Sequence, residues 1–190
     1  MVISAKKILE LNGKHKLIEN LAERELNPEG VGLDVRAGEI YSIDGEGFLG
    51  VTERKTPAVS KFADVKTGSK HVVLRPGDFV LVKTMEKLNV PAEKIVIEEG
   101  GEPVHVMVDI YPRSTLQRCG IYFMGRYTDP GYSGELTVAL KNVGNSDFVL
   151  ELGARFASVV FSAVLGDLSR AYGGQWKGGR VATGEKEKQV

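Results

Sequence analysis

Short apolar segments separated by turn residues dominate the sequence from Val31 onward. They are rich in Val, Ile, Phe and Tyr, and glycine and proline punctuate them. Such segments are typical of β-strands, and the Arg75-Pro76-Gly77-Asp78 sequence is a strong hairpin signal. Many short strands at this spacing predict a mostly β fold of the sandwich or jelly-roll type. The predicted strands are 31–35, 39–43, 50–54, 71–75, 79–84, 94–98, 104–111, 121–127, 134–141, 148–152 and 155–163.

The sequence changes character on both sides of this β region. Residues 4–11 predict a short helix with Ser4 as its cap, and Gly13 is expected to end it. We therefore divide the chain into an N-terminal helical extension (1–30), a β domain (31–172) and a C-terminal tail (173–190). The tail is glycine-rich and then charged, and we expect it to be mobile at least without a ligand.

Composition excludes several classes of protein. The 190 residues suit one domain, and 25 basic residues balance 25 acidic ones, so a strongly basic nucleic-acid surface is not expected. No apolar run approaches the ~20 residues of a membrane span, and the first residues lack the basic-then-apolar order of a signal peptide. Cys119 is the only cysteine. No internal disulfide can form, and we expect a cytoplasmic protein that binds neither nucleic acid nor membrane.

The scarcity of metal ligands excludes zinc chemistry on nucleobases. Zinc deaminases need at least two cysteines at the metal, and this chain has one. The three histidines, His15, His71 and His105, match no metal-ligand spacing, and we interpret them as surface or strand residues.

A first polar cluster follows the strand that ends near Tyr111. Arg113 and Arg118 flank two hydroxyls, Ser114 and Thr115, on a predicted single helical turn. Helix N–H groups, hydroxyls and guanidinium groups together bind phosphate. A loop with surface arginines explains the composition equally well.

Two further clusters contain acidic residues. Asp129 and Tyr132 lie in an Asp-Pro-Gly-Tyr sequence that by itself favours a plain turn, although it would also place a carboxylate and a ring at a pocket mouth. Asp34 lies inside an apolar strand, where burial is costly unless the carboxylate is paired. It could pair with an arginine or face a metal–phosphate complex.

The last two clusters are weaker. Arg155 begins a strand after the turn residue Gly153, and a structural role is favoured there. Trp176 and Arg180 lie in the glycine-rich tail, which could be a lid over a phosphorylated ligand or a frayed end.

Taken together and in order, these clusters resemble the motifs of the dUTPase and dCTP deaminase superfamily. Segments 32–37, 112–120 and 129–134 resemble its first three motifs. Segment 153–161 is a weaker fourth, because the usual glutamine is absent and Ser158 stands nearby, and the tail is a loose fifth. The resemblance implies a distorted jelly-roll (β-clip) dUTPase-like fold. It also implies a homotrimer with active sites between subunits, each binding dUTP or dCTP.

The resemblance also implies roles for individual residues. Asp129 matches the aspartate that activates water, and Tyr132 matches the tyrosine under the deoxyribose. Phosphate contacts are implied for Arg113 and Ser114, and we include their neighbours Thr115 and Arg118. Mg²⁺ would be held mainly by the phosphates and water, with Asp34 contacting it through water. Trp176 and Arg180 would act from the tail as the ring and cation of a lid.

One position decides the expected activity. A dCTP deaminase of this family uses a glutamate ten residues beyond the motif-three aspartate, and that position here is Ala139. Alanine cannot transfer a proton, and Glu135 lies roughly 13 Å away along a strand. We therefore expect a dUTP diphosphatase, nearer to an archaeal-type dUTPase, that forms dUMP and pyrophosphate. The alternatives are a dCTP deaminase, a bifunctional dCTP deaminase/dUTPase, and a non-catalytic nucleotide-binding paralogue.

Overall fold

The fold is mostly β, as the sequence predicts. The structure is a computed structural model that describes residues 1–189, so the last residue of the predicted tail, Val190, lies outside it. Helix α1 is Ala5–His15 and helix α2 is Ser114–Arg118, and short 3-10 helices span Glu23–Leu26 and Val65–Thr67. The strands are β1 (Ile18–Glu19), β2 (Gly32–Asp44), β3 (Phe48–Leu49), β4 (Glu53–Lys55), β5 (Ala58–Asp64), β6 (His71–Leu74), β7 (Phe79–Asn89), β8 (His105–Pro112), β9 (Ile121–Met124), β10 (Ser133–Asn142), β11 (Phe148–Glu151), β12 (Arg155–Val164) and β13 (Glu187–Lys188).

A barrel-like antiparallel sheet forms the body. Its order is β8-β12-β2-β7-β10-β9, with β1 paired to β7 and β5 paired to β2. Strand β2 connects the two halves of this sheet: its first half pairs with β12, and its second half pairs with β7 and β5. The change of partner coincides with a bulge between Ala37 and Glu39, which bends the strand and curls the sheet.

This continuous strand corrects the prediction of separate strands at 31–35 and 39–43. Gly38 does not end the strand. It lies against strand β7, where an added Cβ would be 3.2 Å from the backbone nitrogen of Met85. Glycine at this position therefore permits a close approach of two backbones rather than a turn.

The core lies between the two halves of the sheet and reaches under α1. Ile8 of α1, Val82 of β7, Leu140 of β10 and Phe161 of β12 are all buried. The N-terminal segment therefore contributes to the same core as the β strands.

Helix α1 begins as predicted and ends later. The Ser4 side chain accepts a hydrogen bond from the Lys7 backbone N–H at 3.3 Å, which caps the helix. The helix passes Gly13 and continues to His15, and Lys16 closes it in the left-handed conformation with φ 51°.

Two further predicted strands need correction, and one observed strand was not predicted. Residues 94–98 form no strand and only one isolated bridge, from Ile95 to Val104. Strand β5 was not predicted. The predicted strand 50–54 covers only the turn of the β3–β4 hairpin and the first two residues of β4. That hairpin pairs with β13 from the tail in a separate three-stranded sheet. Neither helix in the part of the chain described here is long and apolar enough to cross a membrane.

Candidate active site

Two cavities contain most of the polar residues predicted to be functional. The first has a volume of about 510 Å³ and is lined by Asp129, Tyr132, Thr137 and Ala139, together with Trp176 and Arg180 of the tail. The second has a volume of about 390 Å³ and is lined by Asp34, Arg113, Arg155 and Ser158.

The loop between β9 and β10 holds Asp129 at the edge of the first cavity. Thr128 pairs with Val108, donating to the Val108 carbonyl at 2.6 Å and accepting in return at 3.1 Å. Gly131 donates to the Val90 carbonyl at 2.9 Å. Asp129 lies between these two anchors and is exposed to solvent. Its backbone is therefore fixed while its carboxylate can reach water.

Tyr132 forms a buried wall of the first cavity. Its hydroxyl donates to the Glu135 carbonyl at 2.6 Å, and its ring lies 5.8 Å from the Tyr172 ring, centroid to centroid. Burial raises the pKa of the Tyr132 phenol far above its usual value, and the nearby Tyr172 and Glu135 add to this. The side chain therefore stays neutral and serves as a flat apolar surface with one satisfied polar end.

Strand β10 presents Thr137 and Ala139 to the first cavity. Ala139 pairs with Leu81 of β7 and with Met124 of β9, so a strand flanks it on each side. The Thr137 hydroxyl is buried and has no hydrogen-bond partner within residues 1–189. Glu135 does not line the cavity and instead lies 3.6 Å from Lys83. Among the described residues, Asp129 is the only acidic residue that lines this cavity.

The second cavity is organised around Asp34. Its carboxylate accepts hydrogen bonds from Arg113, from Ser158 and, at 2.9 Å, from Arg155. The arginine pairing considered from the sequence is therefore present. Because both carboxylate oxygens accept from protein donors, the charge is compensated where the strand is nearly buried.

Glu25 is a second acid in this cluster that the sequence did not reveal. It is 4% exposed, accepts from the Asp34 backbone N–H at 2.8 Å, and lies 3.5 Å from Arg155. Ser158, which stands near the missing motif glutamine, donates to Asp34. The carboxylates of Asp34 and Glu25 are thus balanced in charge by the guanidinium groups of two arginines, Arg113 and Arg155. No sequence pattern in the region before Val31 indicates a role for Glu25.

The remaining predicted phosphate ligands lie on α2, which confirms the predicted helical turn. Ser114, Thr115 and Arg118 are exposed there and do not line the second cavity. One chain therefore brings Asp129, Tyr132, Trp176 and Arg180 to one cavity and Asp34 and Arg113 to another.

The Arg180 guanidinium is engaged within its own segment. It donates to the Ala182 and Thr183 carbonyls at 2.8 and 2.6 Å and lies 2.9 Å from Glu187. No group of three or more His, Cys, Asp or Glu side chains in residues 1–189 could hold a metal ion.

The antiparallel barrel-like sheet carries an acid and an aromatic ring at one cavity, and two arginines paired with carboxylates at another. These features define a mostly β protein with two candidate binding cavities. A family model described as dCTP deaminase-like matches residues 2–164. The chain belongs to this dCTP deaminase-like family.

Individual relatives agree with this assignment. The chain is 31% identical over 176 residues to a protein named dCTP deaminase from Thermococcus kodakarensis, covering 93% of this chain and 94% of the relative. It is 26% identical over 169 residues to a dUMP-forming dCTP deaminase from Dictyoglomus turgidum, covering 85% and 79%. The solved 2'-deoxycytidine 5'-triphosphate deaminase of Agrobacterium tumefaciens has the same fold, with a TM-score of 0.60 and 16% identity. That match covers 84% of this chain and 48% of the solved chain, so this protein spans about half of its length.

These relatives correct the predicted activity. The sequence led us to expect a dUTP diphosphatase near the archaeal-type dUTPases, and that prediction is wrong, because the archaeal relatives carry the name of the alternative, dCTP deaminase. The prediction depended mainly on Ala139, and a single side chain does not outweigh similarity along the whole chain. Ala139 nevertheless lines the first cavity, so a deamination there needs a different proton carrier.

Proposed function

We propose that this protein deaminates dCTP, converting the cytosine base to uracil and releasing ammonia. The observation that carries the proposal is the family match from residue 2 to 164, which includes the whole Asp129–Tyr132 loop and most of the residues that line the first cavity. The pyrimidine and deoxyribose would occupy the first cavity, with the sugar packed on the Tyr132 ring. This close packing would leave no room for a 2′-hydroxyl.

The reaction needs water to add at C4 of the base, a proton to move to the ring nitrogen, and ammonia to leave. A carboxylate is suited to these transfers because it can accept and return a proton. Asp129 is the acid that lines the first cavity and is open to solvent. We assign it the role of orienting the water and carrying its proton. The buried Thr137 hydroxyl would supply a hydrogen bond to the base.

The triphosphate would be bound by cations and by the exposed end of α2. Arg113 lies at the second cavity, and Ser114, Thr115 and Arg118 lie beside it on α2. Since these groups do not line the first cavity, we propose that they bind the phosphates of a nucleotide held by a neighbouring copy. The proposed assembly is a homotrimer with its sites between subunits.

The residues present offer little to a protein-bound Mg²⁺ ion. No cluster of ligands exists within residues 1–189, and the Asp34 carboxylate is occupied by Arg113, Arg155 and Ser158. A magnesium ion would therefore enter with the triphosphate, which suits an ion that keeps most of its water. The water-mediated contact of Asp34 stays a prediction.

The first experiment separates the products of the purified protein after incubation with dCTP or dUTP. We expect ammonia in equal amount to the deaminated nucleotide, which chromatography identifies as dUTP or dUMP. A protein that leaves dCTP unchanged at high enzyme concentration does not have the proposed activity. Repeating the assay with EDTA tests whether the metal accompanies the substrate.

Two variants test the assigned proton carrier. Asp129→Asn removes the carboxylate but keeps its shape, and we expect turnover to fall at least a hundredfold, as for the loss of a general acid–base group. Asp147→Asn, at an exposed position outside the first cavity, is the matched control and should keep the wild-type rate. Equal rates for the two variants would remove Asp129 from the mechanism.

Ala139 favours a second candidate function, nucleotide binding without turnover. If the family position for a proton-carrying glutamate is essential, the chain would hold dCTP and release it unchanged. Calorimetric binding of dCTP without ammonia release would support this candidate. Gain of deamination in Ala139→Glu alone would then identify the missing carboxylate as the reason.

A further inference from the structure

Residues 44–57 contact the C-terminal segment 172–189 beside the first cavity. We name residues 44–57 the arm; it contains the β3–β4 hairpin. The arm leaves the body of the sheet after β2, and the C-terminal segment follows β12 by several residues. The two parts are separated by more than a hundred positions in the chain, and yet strand β13 pairs with β4.

Backbone and hydroxyl hydrogen bonds join the arm to the C-terminal segment. Strand β13 pairs with β4, and the Gln189 N–H donates to the Thr52 carbonyl at 2.8 Å. Thr56 and Thr183 form a reciprocal pair, in which each backbone N–H donates to the hydroxyl of the other residue at 2.9 Å. This reciprocal pair fixes the register of the two segments.

Charged side chains also connect the arm to the C-terminal segment. The Arg54 guanidinium carbon lies 5.3 Å from the centre of the Trp176 ring, within the range of a cation–π contact. Arg54 also lies 3.7 Å from Glu187, which lies 2.9 Å from Arg180. The Arg54 side chain is only 18% exposed, so its charge is directed at the ring and the carboxylate rather than at water.

The junction matters for the first cavity because both partners line it. Thr56 and Pro57 come from the arm, and Trp176, Arg180 and Val181 come from the C-terminal segment. The other side of the segment rests on β10, where the Gly178 N–H donates to the Ser133 carbonyl at 2.6 Å. A Cβ on Gly134 would collide with the Gly179 backbone, so glycine at this position permits the contact.

We propose that the arm is the docking site that holds the C-terminal segment of the same chain closed over the first cavity. Arg54 is a positioning residue that acts through Trp176. The docking itself does not depend on which nucleotide is bound. Only its effect on substrate rests on the proposed function.

Trp176 reports this docking directly, because it is the only tryptophan in the sequence. Arg54→Met removes the charge and keeps much of the apolar stem. We expect a red shift of the tryptophan emission and faster trypsin cleavage after Lys177, followed by mass spectrometry. Lys55→Met is the matched control, because Lys55 is next to Arg54 on β4 and forms no ion pair within the described part of the chain. Emission and cleavage that stay at wild-type values in Arg54→Met would overturn the proposal.

A disulfide tests whether the two segments belong to one chain. In a Cys119→Ser background, the Thr56→Cys and Thr183→Cys pair should oxidise readily and leave a single-chain band on a non-reducing gel. Covalent dimers or trimers would place the C-terminal segment on a neighbouring copy and overturn docking within one chain. Failure to oxidise would overturn the contact itself.

Substrate binding provides the functional readout. Losing a partly buried cation–π contact should weaken dCTP binding roughly tenfold, measured by calorimetry, and raise the KM for dCTP with a smaller change in kcat. Arg54→Lys should restore part of the loss. If the wild type binds dCTP without turnover, the calorimetric comparison still tests the docking, so the two proposals fail separately. Unchanged dCTP affinity in Arg54→Met would overturn the positioning role.

Discussion

Arg155 is the cation shared by the two carboxylates of the second cavity. It lies 2.9 Å from Asp34 and 3.5 Å from Glu25, and its side chain is 28% exposed. Replacing it with methionine keeps the bulk but leaves one more negative charge than positive in a nearly buried cluster. We expect Arg155→Met to lower the free energy of unfolding by about 1–3 kcal/mol.

Denaturant unfolding of Arg155→Met and of the wild type measures this decrease in the free energy of unfolding. Arg170→Met removes an exposed guanidinium from the loop after β12 and is the matched control. If both variants unfold at the same denaturant concentration as the wild type, Arg155 does not stabilise the cluster.

Asp64 gives the fold an acid-sensitive contact. Its carboxylate accepts from Lys61 at 2.6 Å and from the Lys66 backbone N–H at 2.8 Å. The hydrogen bond from Lys61 and then that from Lys66 hold the pKa of Asp64 below its usual value. The stabilisation is therefore complete above the unfolded pKa and is lost as pH falls through the folded value.

We expect Asp64→Asn to be less stable than the wild type near pH 7, with the difference shrinking as pH falls below about 4. Thermal unfolding across this range measures it. Asp44→Asn, at an exposed position, should follow the wild-type curve. A difference that grows toward low pH would contradict the assignment.

The positions of individual functional residues could be predicted where the residues lie close together in the sequence. Asp129 and Tyr132 share one short segment and do lie at one cavity, and an arginine partner for Asp34 was foreseen from the cost of burying it. The bond from Ser158 to Asp34 joins residues 124 positions apart. Glu25 reaches Asp34 from a region without periodicity. Neither contact leaves a pattern in the sequence, because only the folded sheet brings the partners together.

At the scale of elements, Asn142 connects the end of β10 to two neighbouring segments. It is 0% exposed, and its amide donates to the Leu74 and Ser146 carbonyls at 2.8 Å each. Its side-chain oxygen accepts from the Gly144 N–H at 3.0 Å. We expect Asn142→Ala to cost about 2–3 kcal/mol of unfolding free energy, because three backbone groups lose a partner and the bond to the Leu74 carbonyl is buried.

Hydrogen exchange locates this effect. Amides of β6 and of the turn after β10 should exchange faster in Asn142→Ala, while those of β8 should not. The exposed neighbour Asn145→Ala is the control. Uniformly faster exchange throughout the sheet would show that Asn142 stabilises the whole fold rather than this junction.

Elements were predictable where apolar residues mark them. The strands β6, β7, β8, β10 and β12 and the helix α1 were all foreseen at approximately the observed positions. Strand β5 was missed because polar residues such as Ser60 and Lys61 interrupt it, and its order comes from pairing with β2. The two-residue strand β13 was missed because its partner, β4, lies in the distant arm.

At the scale of the whole molecule, the residues proposed to bind the nucleotide are divided between two cavities. Asp129 and Tyr132 line the first cavity, whereas Arg113 lines the second and α2 points to solvent. In the proposed homotrimer, a nucleotide that uses both sets bridges two copies, as in a closed ring where each interface repeats the same contact. Light scattering should give three times the mass of one chain.

Mixing two inactive variants tests this arrangement. Asp129→Asn lacks the proposed proton carrier, and Arg113→Ala lacks a proposed phosphate ligand, so each homotrimer should be inactive. If every site takes Asp129 from one copy and Arg113 from the next, random mixed trimers made by co-refolding equal amounts contain intact sites. Each site has one chance in two of an intact residue from each side, so roughly a quarter of wild-type activity should return. If the site lies within one chain, no mixed trimer contains an intact site, and activity stays at the level of the separate variants.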